Sequence, residues 1–271
     1  MFPTWVFGSP TGDETGDYLS VDLGGTNLRV CLVKLLGNSK FSLTQSKFRL
    51  MEEQKQGSGD DLFGFCAQCV KDFIEAQLPQ ATAESPVSLG FTFSYPCHQQ
   101  SIDHGVLVRW TKGFGTSGVE GNDVAQMLKD SLQKLMVPAG ESLNQCLISL
   151  SQIFAIELEA VINDTTGTLI ASQYVRPQTR LGVILGTGCN AAYMEDISCI
   201  GKLKGAALDP SEQMAINCEW VRFKLAALHH RSLMLNRVPL ILTCTNTSQE
   251  QNMTLSWIKL PTNLVNRLSR R

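Results

Sequence analysis

Asp22-Leu23-Gly24-Gly25-Thr26-Asn27 brings together the residue types that a bound phosphate needs. Glycine lets the backbone approach an anion closely and often takes φ > 0, and successive N–H groups in such a turn attract negative charge. Thr26 and Asn27 add side-chain donors, and Arg29 adds a planar cation whose fork of donors suits phosphoryl oxygens. Asp22, at the end of an apolar run, is placed to position a hydrated Mg2+. The plain alternative for this turn is a hairpin with no ligand. No G-x-x-x-x-G-K-[ST] string occurs, which excludes a P-loop. Gly186-Thr187-Gly188 is a second glycine turn after an apolar run, and by itself it reads as structural. A pair of such turns suits a fold whose two halves each bring one phosphate hairpin to the same nucleotide.

Asn163-Asp164 follows one apolar run and precedes a helical stretch. One reading makes it a helix N-cap. The other makes Asp164 a general base. A sugar hydroxyl is a weak nucleophile, and a carboxylate that takes its proton helps it attack a γ-phosphate. Ser94, the Thr111-Lys112 pair, Asn190 and Glu219 are small polar or charged residues at strand ends or in loops. Singly, each is compatible with a surface position. Together they are the mixture a polyol pocket requires, because a buried ring hydroxyl both donates and accepts.

The elements that must hold these residues are legible from hydrophobic period. Residues 18–22 and 28–36 read as Val- and Leu-rich strands joined by the Gly-Gly-Thr-Asn turn. Asp60 reads as the N-cap of an amphipathic helix running to about residue 78, with Leu62, Phe65, Cys66, Cys69 and Phe73 on its apolar face. Residues 87–94 form another strand. Asn122 caps a second amphipathic helix carrying Val124, Met127, Leu128, Leu132 and Leu135 inward. A strand over 157–162, a helix to about 174 and a strand over 180–185 complete an alternating pattern, so the class is α/β.

Composition narrows the function classes. With 271 residues and 43% hydrophobic content the chain can build a core of one large or two small domains. A net charge of -2 argues against nucleic acid as a partner. No basic region followed by an apolar run marks a signal peptide, and no stretch of roughly 20 apolar residues marks a membrane span. Nine scattered cysteines lack a disulfide framework, so a reducing, cytoplasmic setting is expected. Cys66 and Cys69 form a lone CxxC; a zinc site needs a second pair, and both fall on the apolar face of the first helix, so no metal centre is assigned. The sequence carries no sign of oligomeric state.

Six strings, in order, resemble the eukaryotic hexokinase family: LSVDLGGTNLRVCLV (19–33), QSKFRL (45–50), LGFTFSYPCHQQSIDHGVLVRWTKGF (89–114), AVINDTTGTL (160–169), GVILGTGCNAAYM (182–194) and MAINCEW (214–220). The resemblance covers almost all of residues 3–220 apart from about 137–152. It implies the two-domain, actin-like ATPase (ribonuclease H-like) sugar-kinase fold, with 1–163 as the small domain and 164–220 as the start of an incomplete large one. It implies ATP-dependent transfer of phosphate to the 6-hydroxyl of glucose or a related hexose, with Mg2+. By the same resemblance Ser94, Thr111, Lys112, Asn163, Asp164, Asn190 and Glu219 bind the hexose, and Asp164 is the catalytic base. Asp22, Gly24, Gly25, Thr26, Asn27 and Arg29 match the first phosphate motif, and Gly186, Thr187 and Gly188 match the second. Lys47 falls in a segment associated with ATP. Lys112 and Arg29 would offset charge on the transferred group.

Two stretches depart from the family. Residues 137–152 have mixed polarity and no clean period in a place where short connections are the norm, and they read as an insertion. Residues 221–271 contain none of the 22 glycines and hold eight lysines and arginines against one acid, Glu250. That switch suggests a tail outside the folded unit, and both stretches are expected to be translated non-coding sequence. The family's second sugar-binding glutamate, its adenosine-binding segment and its N-terminal helix have no counterpart in the string. The chain by itself is therefore expected to expose apolar faces and to be inactive or very weak, with sugar binding without turnover as the alternative.

Overall fold

The computed structural model describes residues 1–78, 87–136, 156–185, 189–219 and 240–244. They form two compact units, and neither is a continuous stretch of chain. One comprises Asp17–Val33 and Leu43–Val161; the other comprises Met1–Gly16, Lys34–Ser42 and Ile162–Arg271. The division at residue 163 expected from sequence follows chain order, which the units do not.

The first unit is built on a sheet in the order β4-β3-β2-β5-β8, taking β2 as Thr15–Leu23, β3 as Asn27–Gly37, β4 as Lys40–Arg49, β5 as Val87–Phe93 and β8 as Ile156–Ile162. β2 and β5 run parallel, with Asp22 opposite Thr92 and Leu23 opposite Phe93. The last five residues of β2 are all buried, as expected for a central strand covered on both faces. β4 shows the opposite pattern, alternating half-buried and exposed along an edge. After the short α1 (Glu52–Gln56), the helix α2 (Gly59–Gln77) puts Leu62, Phe63, Cys66, Val70, Phe73 and Ile74 into one core with Leu19, Val21, Val30, Phe91 and Phe93. α3 (Val124–Met136) adds Val124, Leu128 and Leu132 to that core.

Both helices exist where the period places them, but their caps are shifted. Ser58, not Asp60, caps α2: its hydroxyl accepts from the Asp61 N–H and donates to the Asp61 carboxylate. A serine one residue outside the helix satisfies an orphan N–H, and Asp60 then lies in the first turn, where its charge suits the helix dipole. Before α3 the capping carboxylate is Asp123, which accepts from the Ala125 and Gly105 N–H groups, while Asn122 donates to the Gly118 carbonyl. The sequence period also leaves unmarked the hairpin of β6 (Cys97–Ser101) and β7 (His104–Leu107).

The second unit has the sheet order β1-β11-β10-β9-β12, with β1 Phe2–Phe7, β9 Leu181–Leu185, β10 Cys189–Asp196, β11 Gln213–Asn217 and β12 Leu240–Cys244. β1, β11, β10 and β9 pair antiparallel, and β12 adds to β9 in parallel. The helix α4 (Asp164–Val175) packs on this sheet so closely that a Cβ on Gly182 would stand 2.9 Å from the Leu169 backbone nitrogen. A second core forms from Ile197, Ile200, Met214 and Ile216 with Trp5 and Phe7 against them. β1 and β12 are surprises of register rather than composition. Phe2–Phe7 belongs with β11 more than two hundred residues away, and the Leu240–Cys244 run places five residues of the basic tail in the sheet. Residues 137–152, the expected insertion, lie outside the described residues, as do Gly186, Thr187 and Gly188.

Candidate functional site

In the first unit the turn between β2 and β3 is a closed hairpin. The Gly24 N–H donates to the Asn27 carbonyl at 3.1 Å, so it is engaged within the turn rather than exposed to an anion as expected from sequence. Neither Gly24 nor Gly25 has positive φ. Glycine is needed at 25 for a different reason: an added Cβ would lie 3.2 Å from the Lys112 Cβ and 3.3 Å from its Cδ. The hairpin therefore rests on the lysine side chain. The side chains of Thr26 and Asn27 carry no hydrogen bond among the described residues and remain as donors on the turn.

Lys112 sits in a tight turn in which the Phe114 N–H donates to the Thr111 carbonyl. Its φ of 58° is in the left-handed region, which a non-glycine residue adopts only when its surroundings hold it there. The holding groups are aromatic. Trp110 and Phe114 stack at 5.0 Å, and the Trp110 indole N–H donates to the Thr116 carbonyl. The Lys112 ammonium donates to the Ser94 carbonyl at 2.7 Å and lies 5.3 Å from the centre of the Tyr95 ring. The Tyr95 hydroxyl donates to the Gly24 carbonyl. One tyrosine thus touches both the hairpin and the lysine that supports it. The Ser94 hydroxyl is buried and has no partner among the described residues. Such an oxygen costs free energy unless something else satisfies it.

Arg29 pairs with Asp22, Nη1 to Oδ2 at 3.2 Å, and both side chains are largely shielded. The two residues expected to face phosphate and Mg2+ hold one another in this structure. Lys47 is exposed on the edge strand β4 and makes no hydrogen bond or ion pair among the described residues.

The second unit gathers the amides. Asn163 caps α4, its Oδ1 accepting from the Thr165 N–H at 2.9 Å. The capping and functional readings of this pair are thus compatible: the asparagine caps and Asp164 begins the helix. Asp164 Oδ1 accepts from the Thr165 hydroxyl at 3.3 Å. Asn190, near the start of β10, accepts at Oδ1 from the N–H groups of Ala191 and Glu219, both at 2.8 Å. Those two donors fix which way the amide faces, so its Nδ2 points to Asn217 Oδ1, Asn163 Oδ1 and Glu219 Oε1. Glu219 Oε1 also accepts from Asn217 at 2.9 Å and from Asn163 at 3.4 Å. Glu219, like Lys112, has left-handed φ, here 50°. The structure brings Asn163, Asn190 and Glu219 together. Asn217 is the member that sequence reasoning missed. Its only sequence signal was its place two residues before Glu219, at the end of β11.

Among the described residues no three His, Cys, Asp or Glu side chains converge on a metal site. Cys66 and Cys69 are buried in the first core, and burial pushes both thiols up, Cys69 to about 12. A thiol held protonated is a poor ligand and a poor nucleophile, so the lone CxxC is part of the core. No helix among the described residues is long and apolar enough to cross a membrane.

A family model described as hexokinase matches residues 1–174, and a second with the same description matches 180–235. The chain belongs to the hexokinase family. A hexokinase of Kluyveromyces lactis is 49% identical over 226 residues, which are 82% of this chain and 43% of that protein. Hexokinase-1 of Rattus norvegicus is 37% identical over the same share of this chain and 22% of its own length. A solved hexokinase from Schistosoma mansoni complexed with glucose superposes with a TM-score of 0.68 at 38% identity, over 81% of this chain and 44% of that one. The fold is therefore the α/β, actin-like sugar-kinase fold, represented in part. The chain spans less than half the length of each of these three hexokinases. The second family match reaches fifteen residues past Trp220, into the segment that sequence composition set apart.

Proposed function

We propose that the protein phosphorylates glucose or a related hexose at its 6-hydroxyl with ATP, the entry reaction of glycolysis. The observation that carries this reading is the amide–carboxylate cluster of Asn163, Asn190, Asn217 and Glu219 beside Asp164. Such a cluster is polar, largely buried and rich in both donors and acceptors, which suits a molecule made of hydroxyl groups. In this reading Asn163, Asn190 and Glu219, with Ser94, Thr111 and Lys112, bind the hexose. Asp164 takes the proton of the attacking hydroxyl. The hairpin at Gly24, Gly25, Thr26 and Asn27 receives phosphate, as does the turn at Gly186, Thr187 and Gly188, and Lys47 is assigned to ATP.

Thr26 and Asn27 fit a phosphate because their side-chain donors have no partner among the described residues. Lys112, anchored on Ser94 and Tyr95, would neutralise charge on the transferred group. Mg2+ would enter with ATP, and it supplies charge neutralisation on the phosphates. Asp22 is the carboxylate nearest in sequence to the hairpin, and its present partner is Arg29. A ligand at the hairpin would compete for that guanidinium. The cysteine pattern supports a reducing cytoplasm as the setting.

The share of its relatives' length that the chain spans favours a second reading for these 271 residues alone, hexose binding without turnover. A coupled assay of hexose 6-phosphate formation, run beside calorimetric glucose titration, separates the two. Under the first reading Asp164→Asn lowers turnover by about 10²–10⁴ and leaves glucose affinity within a few-fold. Full turnover in that variant removes Asp164 from its role, and absence of glucose binding by the wild-type chain defeats both readings.

A further inference from the structure

The cluster in the second unit contains one residue to which no function is attached so far. Asn217, at the end of β11, is 4% exposed, and both halves of its amide are used. Its Oδ1 accepts from Asn190 Nδ2 at 2.8 Å, and its Nδ2 donates to Glu219 Oε1 at 2.9 Å. Neither assignment can be reversed. Asn190 must present Nδ2, because its Oδ1 faces two backbone N–H groups. The carboxylate can only accept when ionised. The bonds therefore close a ring: the Glu219 N–H donates to Asn190, Asn190 donates to Asn217, and Asn217 donates back to the Glu219 side chain.

We propose that Asn217 is a positioning residue for hexose recognition, which sets the rotamer of Glu219. The proposal rests on the hexose-binding reading above. Its physical basis is that Glu219 occupies a left-handed backbone conformation and carries a flexible side chain. Of these three amide donors to Oε1, Asn217 is the shortest, at 2.9 Å against 3.2 Å from Asn190 and 3.4 Å from Asn163. Asn190 and Asn163 lie on other elements, so they follow β10 and α4. Asn217 is two residues from Glu219 on the same strand end and moves with it. It therefore holds the carboxylate relative to its own backbone, while Asn190 accepts from the Glu219 N–H and Asn163 reaches only Oε1. Removing it leaves the Glu219 carboxylate with the longer bonds from Asn190 and Asn163, and leaves Asn190 with one fewer acceptor.

The test is a set of glucose and monodeoxyglucose titrations on the full 271-residue chain, by calorimetry, for wild type, Asn217→Ala and Asn217→Asp. Asn217→Asp keeps the size and the acceptor toward Asn190 but, when ionised, loses the donor toward Glu219. Both variants are expected to bind glucose about tenfold more weakly, the scale of one lost hydrogen bond to a charged group. The loss should be concentrated at one hydroxyl. For the deoxy sugar lacking the group that Glu219 holds, the penalty relative to glucose should shrink toward unity in the variants, while the penalties for the other positions stay at their wild-type ratios. A purely structural role would weaken all sugars by the same factor, and that result overturns the proposal. So does unchanged glucose affinity, or unfolding of both variants in a far-ultraviolet circular dichroism melt, which would assign Asn217 to the fold alone. A wild-type chain that binds no hexose overturns the hexose-binding reading and this proposal with it. A wild-type chain that binds, with a uniform loss in the variants, overturns only this one.

Discussion

Tyr95→Phe isolates the contact that ties the hairpin to its support. The substitution deletes one hydroxyl, which donates to the Gly24 carbonyl at 3.2 Å, and keeps the ring. That ring is 1% exposed and packs 4.8 Å from Phe93, 4.9 Å from Trp110 and 5.3 Å from Phe114, centre to centre. A net hydrogen bond contributes about 0.5–1.5 kcal/mol, and 3.2 Å is long for a hydroxyl donor, which places this one at about 0.5–1 kcal/mol. Tyr95→Ala removes the ring as well and should cost about 3–5 kcal/mol, the range for deleting a buried aromatic. Urea unfolding of the first unit's core measures both. The functional readout is ATP affinity by calorimetry. Loosening the turn at Gly24 should weaken it by about two- to fivefold in Tyr95→Phe, with glucose affinity unchanged, because the ring still faces Lys112. Two results would refute the reasoning: a Phe variant as destabilised as the Ala variant, or a Phe variant identical to wild type in both stability and ATP affinity.

Gly182→Ala should destabilise the second unit by about 1–3 kcal/mol, since its Cβ would meet the backbone of Leu169 in α4 and backbone yields little; chemical denaturation followed by circular dichroism measures this, and a neutral result would show that α4 can lift off β9. Gly25→Ala should displace Lys112 rather than the hairpin backbone, weakening hexose and ATP binding together by a few-fold while costing about 1 kcal/mol or less; separate titrations of the two ligands check whether the losses coincide. At about pH 8, iodoacetamide should label the exposed Cys189 and Cys199 first and leave Cys66, Cys69 and Cys218 slow, as mass spectrometry of the modified peptides will show; burial pushes the Cys218 thiol up to about 11 and Cys69 to about 12. Because those folded-state values lie above the ordinary thiol value near 9, their contribution to stability is complete below pH 9 and is lost as pH rises through 9 toward 11–12. The urea midpoint should accordingly fall over that window, and a midpoint that rises there would contradict the burial argument.

Local chemistry was legible where one short segment supplies it. The β2–β3 hairpin, the apolar faces of α2 and α3, and the Asn163 cap of α4 follow from turn residues, a 3.6-residue period and a side chain that can satisfy its own helix terminus. The caps at Ser58 and Asp123 escaped by one or two residues, because several neighbouring side chains were equally capable and only the final backbone path selects among them. Lys112 was legible as a charge but not as a pillar, since its partners Ser94, Tyr95 and Gly25 come from two other stretches of chain.

By itself, then, the sequence determined the α/β class, the kinship with hexokinases and the residue types offered to a hexose and to phosphate. Those depend on local order along the chain. Tertiary structure decided three further things. It paired β1 with β11, with the Thr4 hydroxyl reaching the Ala215 carbonyl across 211 positions. It turned Gly25 from a conformational requirement into a packing one. And it gave Asn217 both of its partners. The Thr4–Ala215, Gly25–Lys112 and Asn217–Asn190 contacts join segments distant along the chain, whose distance and orientation no periodicity encodes, so they exist only once the fold has closed around them.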